Sequence, residues 1–262
     1  GDETVLILAM DTSTMVGGVA LLKDGITLGE HILNVRATHS ERLMSSVEAL
    51  MAAADVGPGD LDAIACGVGP GSFTGVRIGV SACKAMAYAL SIPIVSVPSL
   101  DALAYARGRG ARAVWCLIDA RHGRCYSASF APPESSDVWR PERVSTYAVR
   151  HSSEIAALAR DTESAPTSSA SGDNGPRARV LFLGDGALAY AESLRSELPG
   201  VAEIPPAPMC ILRPSQVGLL GSDLLHAGTA DDPARVIPMY PGPSEAEVRL
   251  RDGIHGIAHD PR

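Results

Sequence analysis

Two stretches of this chain run to one plan, and that repetition limits the folds open to it. Residues 4–11 (TVLILAMD) form a continuous apolar run ending on Asp11, and residues 112–119 (RAVWCLID) form another ending on Asp119. Each is followed by a tight turn and a second strand-like run, at 16–23 and 124–130. A strand that is apolar at almost every position is buried on both faces, as in a sheet covered by helices on each side. The turn Lys23-Asp24-Gly25 is a hairpin signal and leads into a third strand at 26–35. Two such halves, the second degenerate, predict a duplicated α/β protein with mixed sheets and a cleft between the lobes.

The helices follow from periodicity and capping. Thr38, with Glu41 three residues later, reads as a capping box. The helix it opens, of about 15 residues, carries Leu43, Met44, Val47, Leu50 and Met51 on one stripe. It stops at Gly57-Pro58-Gly59. A strand at 61–68 leads into the glycine-rich loop Gly69–Gly75, a helix at 74–90 and a strand at 93–97. Ser99 then caps a short helix to about Arg107. Beyond the break at Arg107-Gly108-Arg109-Gly110, the second half adds helices at 152–160, 187–197 and 215–227 and a strand at 179–183. The expected organisation is a first lobe at 1–107 and a second at 108–212, with a polar insertion at 161–178. A C-terminal helix within 213–228 packs back on the first lobe, and 241–262 form a loosely ordered tail.

Composition removes several functions. The 22 Lys plus Arg against 30 Asp plus Glu give a net charge of −8, whereas a domain that holds nucleic acid alone is usually basic. Aromatics are 4% of the chain, too few for base-stacking platforms. The five cysteines, Cys66, Cys83, Cys116, Cys125 and Cys210, contain no C-x-x-C, so a zinc site or disulfide framework is not expected and a reducing compartment is. No run of 18 apolar residues exists, so a membrane span is not expected either and the location reads as cytoplasmic.

Two segments can carry chemistry. GPGSFTG (69–75) runs into a helix, where backbone N–H groups can cradle an anion. It lacks the Gly-Lys-Ser/Thr of a P-loop and the spacing of G-x-S-x-G, and it reads equally as a turn with Ser72 or Thr74 capping the helix. Asp11-Thr12-Ser13-Thr14 sits on a hairpin tip, where a carboxylate and hydroxyls can meet phosphate and Mg²⁺ or can satisfy one another. His255 and His259 stand four apart, but Gly253 and Gly256 weaken any helix there. The helix at 74–90 is apolar nearly all round, and its Gly79, Ala82, Ala85 and Ala89 allow close helix approach, in a core or at a subunit contact.

The run GPGSFTGVRIGVSACKAMAYALSIPIVSVPSLDALA (69–104) resembles the bacterial TsaB (YeaZ) family. The likeness continues in ILAMDTST (7–14), THSERLM (38–44), DARHGRCYSASF (119–130) and LFLGDGA (181–187), and covers about residues 4–228. It implies the two-lobed fold of actin, Hsp70 and sugar kinases. It implies a non-catalytic subunit in the formation of N6-threonylcarbamoyladenosine on tRNA, bound to a metal-bearing catalytic relative, TsaD, and supporting recruitment of a TsaE-type ATPase. Metal and ATP would belong to the partners, and tRNA would be met within the complex. The catalytic relative's histidine pair falls at Ser99 and Leu103 here, and neither side chain is a metal ligand.

The resemblance also implies a partner contact through the first two helices. Leu43, Met44, Val47, Leu50 and Met51 would form it with Val76, Ser81, Lys84 and Tyr88, and the same surface would make a homodimer when the partner is absent. Asp11, Thr12, Ser13 and Thr14 would then be a vestigial nucleotide or phosphate loop, and Arg107, Arg109 and Arg112 could assist phosphate contact. Two other activities fit the same superfamily less well. An ATP-dependent small-molecule kinase would keep Asp119 and Gly184–Gly186 as remnants of its second lobe, and a peptidase would need a triad or metal motif that the sequence does not assemble.

Overall fold

The computed structural model describes residues 4–33, 39–105, 111, 113–131, 142–163 and 179–242. The first lobe is a five-stranded sheet built from β1 (Leu6–Asp11), β2 (Gly17–Lys23), β3 (Ile26–Leu33), β4 (Ala63–Gly67) and β5 (Ile94–Val97), in the order β3-β2-β1-β4-β5. β1, β2 and β3 form an antiparallel meander, while β4 and β5 run parallel to β1. The parallel crossovers carry helices: α1 (His39–Ala53) precedes β4, and α2 (Phe73–Leu90) precedes β5. The second lobe repeats the plan. Its β6 (Ala113–Asp119), β7 (Arg124–Ala131), β8 (Glu142–Arg143), β9 (Ala148–His151), β10 (Val180–Leu183) and β11 (Ala202–Glu203) give the order β11-β10-β6-β7-β8, with β9 also on β7. This is the duplicated mixed-sheet architecture read from the two Asp-ended strands.

Five layers result. Alternation along β1 sends Leu6, Leu8 and Met10 to one face and Ile7 and Ala9 to the other. The first set packs with α1 and α2. The second set joins a central core with α3 (Ser99–Ala104), α8 (Pro214–His226) and the inner faces of β6, β7 and β10. Beyond the second sheet, Trp115, Leu117 and Phe182 pack on α4 (Ser152–Glu163), α5 (Asp185–Ala189) and α6 (Ala191–Glu197). A short α7 (Ala207–Cys210) leads into α8, which lies against β1, β2, β4 and β5. Gly218 and Gly221 allow that approach: a Cβ on Gly218 would stand 2.1 Å from Leu22 Cδ1.

Several expected boundaries move. Thr38, the Glu41 side chain, residues 164–178 and residues 243–262 lie outside the described residues, as do Arg107, Arg109, Arg112, His255 and His259. Residues 161–163, expected in the insertion, extend α4 instead. The helix expected at 187–197 begins earlier, at Asp185, and breaks at Tyr190, whose backbone leaves the helical region. Ser99 does not cap α3; Pro98 occupies that position, and the Ser99 hydroxyl is used elsewhere.

After α8 the chain forms a strap, which the periodicity of the sequence does not foretell. Asp231 makes an antiparallel bridge to Ile94 on the edge of β5, and its carboxylate accepts the Ser96 N–H at 3.0 Å. The strap then crosses α2 and reaches Val68, whose carbonyl accepts the Met239 N–H at 2.8 Å.

Candidate functional site: a sealed loop and an open helix pair

Asp11, Thr12, Ser13 and Thr14 all lie buried at the end of β1. Ser13 donates to Asp11 Oδ1 from both its N–H, at 2.8 Å, and its hydroxyl, at 2.7 Å. Ser99 Oγ donates to Asp11 Oδ2 at 2.8 Å. Thr12 Oγ1 donates to the Gly75 carbonyl at 2.6 Å, and the Ser72 N–H donates to the Ser13 carbonyl at 2.7 Å. Thr14 donates its hydroxyl to the Val16 carbonyl at 2.8 Å. The glycine-rich loop is therefore seated on the DTST turn. A Cβ at Gly75 would stand 2.1 Å from the Thr12 carbonyl oxygen, so the glycine is needed for contact between two backbones. Ser72 caps α2, accepting the Gly75 N–H at 3.3 Å.

This arrangement does not fit a phosphate group. The hydroxyls that would meet it donate inward, and the glycine loop occupies the space above them. Nor do the α3 positions at which the resemblance implies a metal-binding histidine pair fit a metal ion. Ser99 is fully buried with its hydroxyl on Asp11, and Leu103 is a core alkyl chain in the layer between the sheets. Among the described residues, no group of three or more His, Cys, Asp and Glu side chains could hold a metal ion.

The second Asp-ended strand closes in the same way. Asp119 Oδ1 accepts the Tyr190 hydroxyl at 2.9 Å and the Arg121 N–H at 2.8 Å. The Asp119 N–H donates to Asp185 Oδ1 at 3.0 Å. Burial pushes the Asp185 carboxyl up to about 6, against the backbone N–H groups that favour its charged form.

The helix pair is the open part of the molecule. Its stripe residues divide by direction. Leu43, Val47, Leu50, Met51 and Val76, expected at a partner contact, are buried in the core between the helices and the first sheet. An apolar stripe shows that a helix has a covered face, and here the sheet covers it. Met44 (39% exposed) and Tyr88 (80% exposed) point outward, as does Ser81. Lys84 is half-buried and serves the strap, donating to the carbonyls of Ala234 at 3.2 Å and Val236 at 2.8 Å. Between α1 and α2 lies an open cleft of about 510 Å³, lined by Leu43, Met44, Phe73, Arg77, Ile78 and Ala82 among others. Phe73, which the sequence reading did not single out, stands 45% exposed at its end with the Arg77 guanidinium 3.7 Å above its ring.

Fold and site together define a two-lobed α/β protein with duplicated mixed sheets, an inward-paired Asp11 loop and an exposed helix pair. A family model described as TsaD, tRNA N6-adenosine threonylcarbamoyltransferase, matches residues 32–246. The chain is 42% identical over 125 residues to the tRNA threonylcarbamoyladenosine biosynthesis protein TsaB of Bacillus subtilis, covering 47% of this chain and 54% of that one. It is 36% identical over 138 residues to the TsaB protein of Escherichia coli, covering 52% and 59%. The matched stretch thus spans little more than half the length of these curated relatives. The solved structure of YeaZ from Pseudomonas aeruginosa superimposes with a TM-score of 0.69 at 28% identity, over 90% of this chain and 99% of that one. The chain belongs to the TsaD family and, within it, to the TsaB/YeaZ group. Among the described residues, no helix is long and apolar enough to cross a membrane.

Proposed function

We propose that this chain is a non-catalytic subunit in the formation of N6-threonylcarbamoyladenosine on tRNA. It docks through the outer face of α1 and α2 onto a TsaD-type catalytic subunit, supports recruitment of a TsaE-type ATPase, and pairs with itself through the same face when alone. The observation that carries this reading is the open apolar cleft on the helix pair, rimmed by Met44, Phe73 and Ile78, with Tyr88 exposed further along α2. Exposed apolar surface of this kind is a mark of protein contact. The names of the TsaB relatives supply the pathway. The inward-paired Asp11 loop, and the absence of ligand chemistry at Ser99 and Leu103, support a chain that leaves metal, ATP and transfer chemistry to its partners. The same pairing disfavours a kinase, which needs an open phosphate loop. The proposed compartment is the cytoplasm, where tRNA is modified.

Such a face must bury on the order of 1,000 Å² or more in total to be specific. Reconstitution tests the reading. The chain is mixed with the cognate catalytic subunit, the ATPase, threonylcarbamoyl-adenylate and unmodified tRNA, and modified adenosine is counted. Activity that depends on this chain and is lost with Met44→Glu and Tyr88→Glu is the expected result; equal activity without the chain would refute it.

A further inference from the structure

The position of Phe73 is set from outside the helix pair. The strap is fixed to the first lobe at successive points: Asp231 on β5, Ala234 and Val236 on Lys84, and Met239 on Val68. Val236 is buried in the same core as α1 and α2. The strap ends by laying the Tyr240 ring against Phe73, with centroids 5.2 Å apart and planes tilted by 34°. Tyr240 Oη also lies 3.4 Å from the Phe73 carbonyl. Beyond it, a Cβ at Gly242 would stand 2.9 Å from Val149 Cγ2 of β9, so the strap runs close to the second lobe as well. Tyr240, Phe73 and Arg77 form one stack at the mouth of the cleft.

We infer that residues 229–242 are a positioning element of the docking face and that Tyr240 is the residue through which they act. This rests on the reading that the α1–α2 cleft receives a TsaD-type subunit. Phe73 is the first residue of α2, where a helix end frays unless it is held. Tyr240 holds it from one side, and Phe73 then seats the Arg77 guanidinium over its ring. The result is a cation fixed at the rim of an apolar cleft. The matching group on the partner is an apolar side chain that enters the cleft with a carboxylate beside it to meet Arg77.

Binding of the full-length chain to its cognate catalytic subunit tests this, with amide hydrogen exchange across Phe73–Arg77 as the second readout. Tyr240→Ala and Tyr240→Leu are expected to weaken binding about tenfold and to speed exchange at the start of α2. Tyr240→Phe, which keeps the ring, should bind within about twofold of the parent. The Leu variant retains apolar cover if the Ala variant fails to fold. Unchanged binding by the Ala and Leu variants, while Met44→Glu still weakens it, would overturn the role of the strap and leave the docking reading standing. Unchanged binding by all three, Met44→Glu included, would overturn both.

Discussion

Ser99 Oγ lies 2.8 Å from Asp11 Oδ2 and donates to it, tying the first residue of α3 to the last residue of β1 across 88 positions of sequence. Where the resemblance implies a metal-binding histidine in the catalytic relative, this chain holds a strut. Ser99→Ala removes this donor from a buried carboxylate, which costs about 1–3 kcal/mol. A lower denaturation midpoint at unchanged m value is the expected result; an unchanged midpoint would show that the strut contributes nothing.

The glycine loop seated on the DTST turn leaves no room for a side chain. Gly75→Ala places a methyl group 2.1 Å from the Thr12 carbonyl oxygen, and α2 must shift to accommodate it. Overpacking of this kind costs about 1–3 kcal/mol. Thermal melts of the parent and variant check it, and Gly59→Ala, where a Cβ would meet open space, is the control expected to melt as the parent does.

Stability and association separate on α1. Leu50 is buried against the first sheet and Met44 faces the cleft. Leu50→Ala is expected to cost about 2–5 kcal/mol of folding stability, while the fraction that remains folded binds as the parent does. Met44→Glu is expected to do the reverse. Calorimetric unfolding alongside sedimentation or binding measurements distinguishes them; Met44→Glu that melts early and binds normally would contradict the assignment.

Asp185 sets a pH dependence. Burial raises its folded-state value to about 6 from an ordinary 3.8. Between those two values the folded chain holds a proton that the unfolded chain has released, so stability is fully present below the lower value and is lost as pH rises towards the upper one. The loss is on the order of 2–3 kcal/mol at most. Asp185→Asn keeps an acceptor for the Asp119 N–H and removes the titration. Stability curves of the two proteins from pH 4 to 7 should converge at the acid end and separate towards neutrality, with the Asn variant the more stable.

The strands were legible because burial on both faces leaves a continuous apolar run, and β1, β2 and β6 carry it plainly. The stripe on α1 was legible too, but a stripe does not say what covers it. The sheet and a partner ask for the same Leu43, Val47 and Leu50, and the side chains that reach solvent are those between them. The DTST turn stayed ambiguous because its deciding contacts come from far along the chain, Gly75 at 63 residues and Ser99 at 88. Tyr190 breaks a helix for a similar reason, with its hydroxyl on Asp119, 71 residues away. The strap follows no helix or strand period: Lys84 and Val68 hold its backbone, and its side-chain anchors, Asp231, Val236 and Tyr240, recur at no regular spacing.

The central core runs without interruption from Ile7 and Ala65 of the first sheet, through Leu100 and Leu103, to Val114 and Phe130 of the second. Prying the lobes apart would expose those side chains to water, at roughly 25 cal/mol for every Å² uncovered. That cost opposes separation of the lobes and favours a single joined arrangement. The larger the share of copies in that arrangement, the less a partner's affinity for it is diluted by copies in another form.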